Sequence, residues 1–170
     1  TGLSEEQKNN LTEASGTIPI FYSGNMSLGV NLLIELSKTA AKILGDSFDI
    51  EIIEQHHNQK LDAPSGTALM IADAIKGQLN RETVYEYDRH TKREKRNKNE
   101  IGIHSVRGGT IVGEHQVIFA GNDEIVTVSH SARSKALFAT GALNAAIFMK
   151  DKQPGLYNMS DMIRSPSRLK

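Results

Sequence analysis

The sequence predicts an α+β fold, built on an open, mainly antiparallel (mixed) sheet of about four strands with helices on one face. Three observations carry that reading. Phe48, Ile50 and Ile52 alternate with Asp49 and Glu51, the period-two pattern of a half-buried strand. Leu28, Leu32, Leu36, Ala40 and Ile43 recur near helical spacing. After Ile101, three strand-like runs follow one another through Gly108-Gly109 and Gly121-Asn122-Asp123, turn chemistry that predicts hairpins.

Each element has a local reason. Ser4 is a good N-cap, with Glu5 and Glu6 in the first turn and Gln7 at the capping-box position, so a short helix runs to about Ser15. Gly16 punctuates. Ile18-Pro19-Ile20-Phe21-Tyr22 reads as a strand, with Pro19 in its first turn or on an edge. Ser23-Gly24-Asn25 is turn chemistry and a hinge, and Ser27 caps the next helix, which Gly45 ends. The strand through Ile52 delivers its far end to His56-His57, and residues 55–64 read as loop. A helix then starts near Ser65 and continues through Leu69, Ala72, Ile75 and Leu79. Between Arg81 and Glu100 the chain turns polar. Its basic run of Lys92, Arg93, Lys95, Arg96 and Lys98 reads as a solvated, mobile loop. Strands are expected over 101–106, 110–119 and 125–130, after which Ser131 caps a long helix through Leu137, Phe138, Leu143, Ala146 and Ile147. The tail holds one short apolar segment, Leu156 to Ile163, and a basic, Pro- and Ser-containing end with the composition of a disordered terminus.

Composition narrows the function. A chain of 170 residues is long enough to bury a core, and 20 Lys+Arg balance 20 Asp+Glu, so no global field steers it toward nucleic acid or an acidic membrane. With no cysteine, disulfides and thiolate catalysis are excluded. No apolar run approaches the roughly 20 residues of a membrane helix, and cytoplasmic residence is the expectation. Thr1-Gly2-Leu3 reads as the end of a loop entering a helix, so the expectation is a fragment.

The chemistry gathers in Glu51-Ile52-Ile53-Glu54-Gln55-His56-His57-Asn58-Gln59-Lys60-Leu61-Asp62-Ala63-Pro64-Ser65-Gly66-Thr67-Ala68. Proline suits the first turn of a helix, where its missing amide hydrogen does no harm. Ser65, Gly66 and Thr67 follow with amide hydrogens and hydroxyls, and a helix N-terminus favours a carboxylate. Alone, a Pro-Ser-Gly-Thr start is an ordinary cap. With Lys60 and two histidines beside it, a small anion is the better reading. Adjacent residues in an extended segment face opposite sides, so one imidazole enters a pocket and the other meets a backbone or carboxylate partner. Adjacent histidines rarely chelate one ion together, so no metal is expected and a general acid fits better. His104, His115 and His130 read as core-edge or surface residues. Arg107 can reach an anion, and Glu114-His115 can pair.

These residues resemble the signature of the 4-hydroxy-tetrahydrodipicolinate (dihydrodipicolinate) reductase family of the bacterial diaminopimelate–lysine pathway. Ser23-Gly24-Asn25-Met26-Ser27-Leu28-Gly29-Val30-Asn31, Ile101-Gly102-Ile103-His104-Ser105-Val106-Arg107-Gly108-Gly109 and Ile111-Val112-Gly113-Glu114-His115 match in order, as do Gly141-Ala142 and Gly155-Leu156-Tyr157. The resemblance implies an oxidoreductase that uses NADPH or NADH, whose N-terminal dinucleotide-binding domain is truncated here. Residues 1–25 would be the last helix and strand of that Rossmann-like domain with its hinge. Residues 26–150 would be the substrate-binding and tetramerisation domain, and 151–170 a tail returning to the nucleotide domain. By position it implies His56 as the acid/base and Lys60 as a proton donor facing a substrate carboxylate. It implies that His57, Ser65, Gly66 and Thr67 contact the substrate, and that Thr1, Ser23, Gly24, Asn25 and Met26 touch the nicotinamide end of the cofactor. The partners implied are a small dicarboxylate substrate and three further copies in a homotetramer, with neither nucleic acid nor membrane. The basic, glycine-free 86–99 loop departs from the family pattern. A rival reading is a non-catalytic anion-binding or oligomerisation module.

Overall fold

A computed structural model of the chain describes residues 3–165. The order of elements is α1 (Glu5–Ala14), β1 (Pro19–Phe21), α2 (Leu28–Leu44), β2 (Asp49–His56), α3 (Gly66–Lys76), β3 (Val84–Glu86), β4 (Glu100–Arg107), β5 (Gly113–Ala120), β6 (Ile125–Ala132), α4 (Ala136–Met149), β7 (Gly155–Tyr157) and α5 (Met159–Arg164). Two compact units result. One is Leu33–Ser134, and the other combines the chain up to Leu32 with the chain from Lys135, so the division falls inside α2 and α4 groups with the N-terminal segment.

The Leu33–Ser134 unit holds a five-stranded sheet in the order β3-β4-β2-β5-β6. β4 runs parallel to both β2 and β3, whereas β5 is antiparallel to β2 and to β6. Register brings Ile50 between Ile101 and Phe119, and Ile52 between Ile103 and Val117. All six residues of this cluster face one side and are buried, as are Ala68, Ile71, Ala72 and Ile75 of α3 and Leu33, Ile34 and Ala41 of α2. The α3 set is the stripe of an amphipathic helix, and α3 lies on β2. On the opposite face, Val106 and Ile125 are exposed and Ile53 and Ile118 half-buried.

The mixed α+β class is as the sequence predicts, but several details differ. The sheet has five strands because Val84–Glu86, within the segment expected to be loop, pairs along β4. β4 and β5 do not form a hairpin: β2 sits between them. Gly108-Gly109 does turn the chain, with Gly109 at φ +49, but a turn residue carries no information about which strand lies beside it. Ser131 caps nothing. It lies in β6 with its hydroxyl donating to Glu114 (3.0 Å), and α4 starts after Lys135 without a side-chain cap. α3 ends at Gly77, short of Leu79, and begins at Gly66, so Pro64 stands ahead of the cap, after a cis peptide bond. The basic run is pinned in part. Arg96 donates to Glu51 (2.8 Å), Asp49 (2.9 Å) and the carbonyls of Ile50 and Glu100, and Lys92 pairs with Glu86.

The other unit begins with α1, whose Ser4–Gln7 capping box forms as expected. β1 and β7 pair in parallel, Ile20 opposite Leu156. Phe148 meets Phe21 and Tyr157 edge-on, and Ala145, Met159 and Met162 are buried with it. Gly141 is required where α4 passes the chain before α2, because a Cβ there would stand 1.7 Å from the carbonyl oxygen of Met26. The basic end, 166–170, lies outside the described residues.

Candidate active site

The carboxyl ends of the parallel strands β2 and β4 open onto the N-terminus of α3, the place where α/β units bind ligands. β2 alternates Ile50, Ile52, Glu54 and His56 toward the covered side, so the apolar stripe ends in a carboxylate and an imidazole. Glu54 is fully buried. Its Oε1 accepts from Arg107 (2.6 Å) and from the Ser65 amide (3.1 Å), and its Oε2 accepts from Arg107 (3.0 Å) and lies 2.5 Å from His56 Nδ1. Burial alone would raise the Glu54 pKa, but Arg107, Ser105, His56 and the Ser65 amide together outweigh it and hold the carboxyl at about 2. It is an ionised group in the interior.

Around this carboxylate the other groups fall into place. Arg107 also donates to the carbonyl of Asp62 (2.7 Å), which fixes the loop ahead of α3. Ser65 caps α3, its hydroxyl accepting from the Ala68 amide at 3.1 Å, and His115 Nε2 lies 3.2 Å from that hydroxyl. Burial pushes His115 down to about 4, with the nearby His56 adding to the effect, so it is neutral. His56 meets His115 edge-on at 5.3 Å, and its own pKa is lowered, first by burial and then by Lys60 and Arg107, against the pull of Glu54. Lys60 Nζ stands 2.7 Å from Asp62 Oδ1 and holds that carboxyl below its usual range, with the Gly66 amide assisting. Gly66, Gly108 and Gly109 border open space, since a Cβ at any of them would meet nothing within 4 Å.

Six of the residues singled out from sequence therefore share one neighbourhood: His56, His57, Lys60, Ser65, Gly66 and Thr67 lie on the β2–α3 connection or at its ends. His57 is half-buried beside the buried His56, which is the one with the carboxylate partner. Arg107 reaches an anion, but that anion is Glu54. Glu114 and His115 do not pair with each other. Being adjacent in a strand they point apart, Glu114 to Gln55 and Ser131 and His115 to Ser65. Of the missed members, His115 lacks a local signal because its partner is 50 residues away. Glu54 has one in His56, two positions on along the same face of β2, although its Arg107 partner is 53 residues away.

Of the residues assigned to the cofactor, Thr1 lies outside the described residues. Ser23, Gly24, Asn25 and Met26 form a turn in the other unit. The Ser23 hydroxyl donates to the Asn25 carbonyl (3.0 Å), and the Asn25 side chain accepts from the Ser27 amide (2.8 Å). Among the described residues no group of three or more His, Asp or Glu is arranged to hold a metal ion.

Residues 29–163 match the family model described as dihydrodipicolinate reductase, C-terminus. The chain is 62% identical over 164 residues to 4-hydroxy-tetrahydrodipicolinate reductase of Caldanaerobacter subterraneus subsp. tengcongensis, covering 96% of this chain and 65% of the relative. It is 51% identical to the enzyme of the same name from Clostridium novyi, covering 97% of this chain and again 65% of the relative. Among solved structures, a dipicolinate-bound dihydrodipicolinate reductase from a Paenisporosarcina species superposes with a TM-score of 0.73 at 27% identity, over 93% of this chain and 60% of that one.

Proposed function

The chain belongs to the dihydrodipicolinate reductase family, and from that premise we propose that it carries the substrate-binding and proton-donating part of a 4-hydroxy-tetrahydrodipicolinate reductase. The reaction is the reduction of 4-hydroxy-tetrahydrodipicolinate to tetrahydrodipicolinate in diaminopimelate and lysine biosynthesis. One observation carries the reading. A cation (Lys60) and a helix entrance with open space at Gly66, both engaged in this structure by the chain's own Asp62 carboxylate, lie on one connection with a carboxylate-bound imidazole (His56). That set suits a small dicarboxylate in need of a proton, and the Paenisporosarcina relative is dipicolinate-bound.

Lys60 and the α3 entrance hold one carboxylate, with His57 and Thr67 flanking it. His56 delivers the proton. A reduced nicotinamide, NADH or NADPH, supplies the hydride when bound. The turn at Ser23–Met26 suits contact with the ring end of that cofactor only, because its Ser and Asn side chains are committed to the turn itself. The sequence contains no glycine-rich strand–helix turn for the phosphates. Residues 1–25 and 151–170 belong to the nucleotide-binding part and 26–150 to the substrate part. The uncovered sheet face, with Val106 and Ile125 exposed, supports assembly into a homotetramer through the sheet; a monomer by light scattering at micromolar concentration would rule that out. Among the described residues no helix is long and apolar enough to cross a membrane, and a biosynthetic role of this kind places the protein in the cytoplasm.

Calorimetric titration with pyridine-2,6-dicarboxylate tests the reading. Lys60→Ala removes a charge-assisted contact of about 1.5–3 kcal/mol, a loss of about 10–100-fold in affinity. Equal affinity for the parent and Lys60→Ala would refute the clamp.

A further inference from the structure

We propose that Glu54 is the positioning residue of the proton donor: its buried carboxylate keeps one proton on Nδ1 of His56, so that Nε2 is the atom that gives up and regains the proton passed to the substrate. The proposal rests on the reading of His56 as the acid.

The hydrogen bonds of Glu54 decide which partner donates. The Arg107 fork takes one position on each oxygen (2.6 and 3.0 Å) and the Ser65 amide takes a second on Oε1 (3.1 Å). All three are donors. The Ser105 hydroxyl donates to the same carboxylate, and Oε2 meets His56 Nδ1 at 2.5 Å. A neutral carboxyl donating to Nδ1 would leave the Arg107 charge without its counter-ion, a costly arrangement so near the interior. The carboxylate is therefore the acceptor, and Nδ1–H the donor, whether the ring is neutral or cationic. That leaves Nε2 to titrate.

Two further observations point the same way. A Cβ on Gly113 would stand 3.1 Å from His56 Nε2, so the glycine keeps space beside the atom that must exchange its proton. The charged and titratable groups facing His56 are Glu54 on its own strand, Lys60 on the following loop, Arg107 at the end of β4 and His115 on β5. Of these only Glu54 is an anion. Burial, Lys60 and Arg107 all oppose the imidazolium, so the acid form of His56 depends on this carboxylate. Because the same carboxylate holds the Ser65 amide, the ring and the α3 entrance keep a fixed spacing.

In the transfer, the Nε2–H bond breaks and its electron pair stays on nitrogen. With the 4-hydroxyl already lost as water, hydride adds to the resulting ring C=C, and the new C–H bond at the neighbouring carbon uses the electron pair that this addition leaves there. His56 emerges neutral, with Nδ1–H still on Glu54, and regains a proton from solvent at Nε2.

The test is nitrogen-15 NMR of the His56 ring across pH in the parent chain, in Glu54→Gln and in Glu54→Asp. The expected parent spectrum is the Nδ1–H tautomer. In Glu54→Gln the midpoint falls by about one unit or more, with a mixture of tautomers, and Glu54→Asp restores part of the shift. An Nε2–H tautomer in the parent overturns the proposal, as does a midpoint and tautomer unchanged in Glu54→Gln. Should Glu54→Gln fail to fold, the parent tautomer and the Glu54→Asp titration decide alone. Titration with pyridine-2,6-dicarboxylate is a separate readout. Its failure in the parent chain would count against the substrate assignment while leaving the tautomer result standing.

Discussion

β2 carries two glutamates, and each is gripped by one arginine and one histidine. Glu54 faces the covered side of the sheet, with Arg107 at 2.6 Å and His56 at 2.5 Å. Glu51, three residues earlier and so on the opposite face, has Arg96 and His104 each at 2.8 Å. The ingredients match, but the surroundings do not. The Glu54 side chain is fully buried and His56 is 11% exposed, whereas Glu51 is 23% and His104 40% exposed. His56 uses Nδ1 and leaves Nε2 beside Gly113. His104 uses Nε2 itself. A Glu–Arg–His set is thus not an acid by composition. Burial, and which ring nitrogen is left over, are what in our proposal turn one set toward proton chemistry, while the other staples the 86–99 loop through Arg96.

The largest expected difference lies in the two arginines. Arg107→Ala strands a buried carboxylate and releases the Asp62 carbonyl, a loss of about 3–5 kcal/mol. Arg96→Ala removes half-exposed ion pairs and two bonds to backbone carbonyls, about 1–2 kcal/mol. Urea denaturation of the two variants measures both. Equal losses would mean that burial is not what separates the two sets.

What the sequence showed and what it hid divide along the same line. The alternation ending at Ile52, the Ser65 cap and the Ser4–Gln7 box are local patterns, and the structure contains them. The insertion of β2 between β4 and β5 is a long-range choice that Gly108-Gly109 could not announce. Arg96 lies 45 residues from Glu51, so a run of cations read as solvated when its carboxylates were already waiting on the sheet. Arg107 read as a possible ligand contact for the same reason, since its partner lay 53 residues upstream. Polar residues at strand ends show their charge in sequence but not their partner.

The sharpest division of roles is expected at two glycines, and the second of them gives the smallest stability effect. Gly102 lies beside Glu51 in the register, and a Cβ there would stand 1.7 Å from Glu51 Oε2. Gly102→Ala must push that carboxylate off Arg96 and His104, at about 1–3 kcal/mol, with no effect on dianion binding because it acts on the uncovered face. Gly66 is the reverse case. It is the first residue of α3, and a Cβ there meets no protein atom within 4 Å. Gly66→Ala therefore leaves stability within about 1 kcal/mol, or raises it through helix propensity. The methyl group instead occupies the space offered to a carboxylate, and affinity for pyridine-2,6-dicarboxylate falls by about tenfold or more, equivalent to at least about 1.4 kcal/mol. Denaturation and calorimetry on the same two variants read both quantities. If Gly66→Ala bound the dianion as the parent does, the α3 entrance would not be where the ligand sits, and the anion site would have to be rebuilt around Lys60 alone.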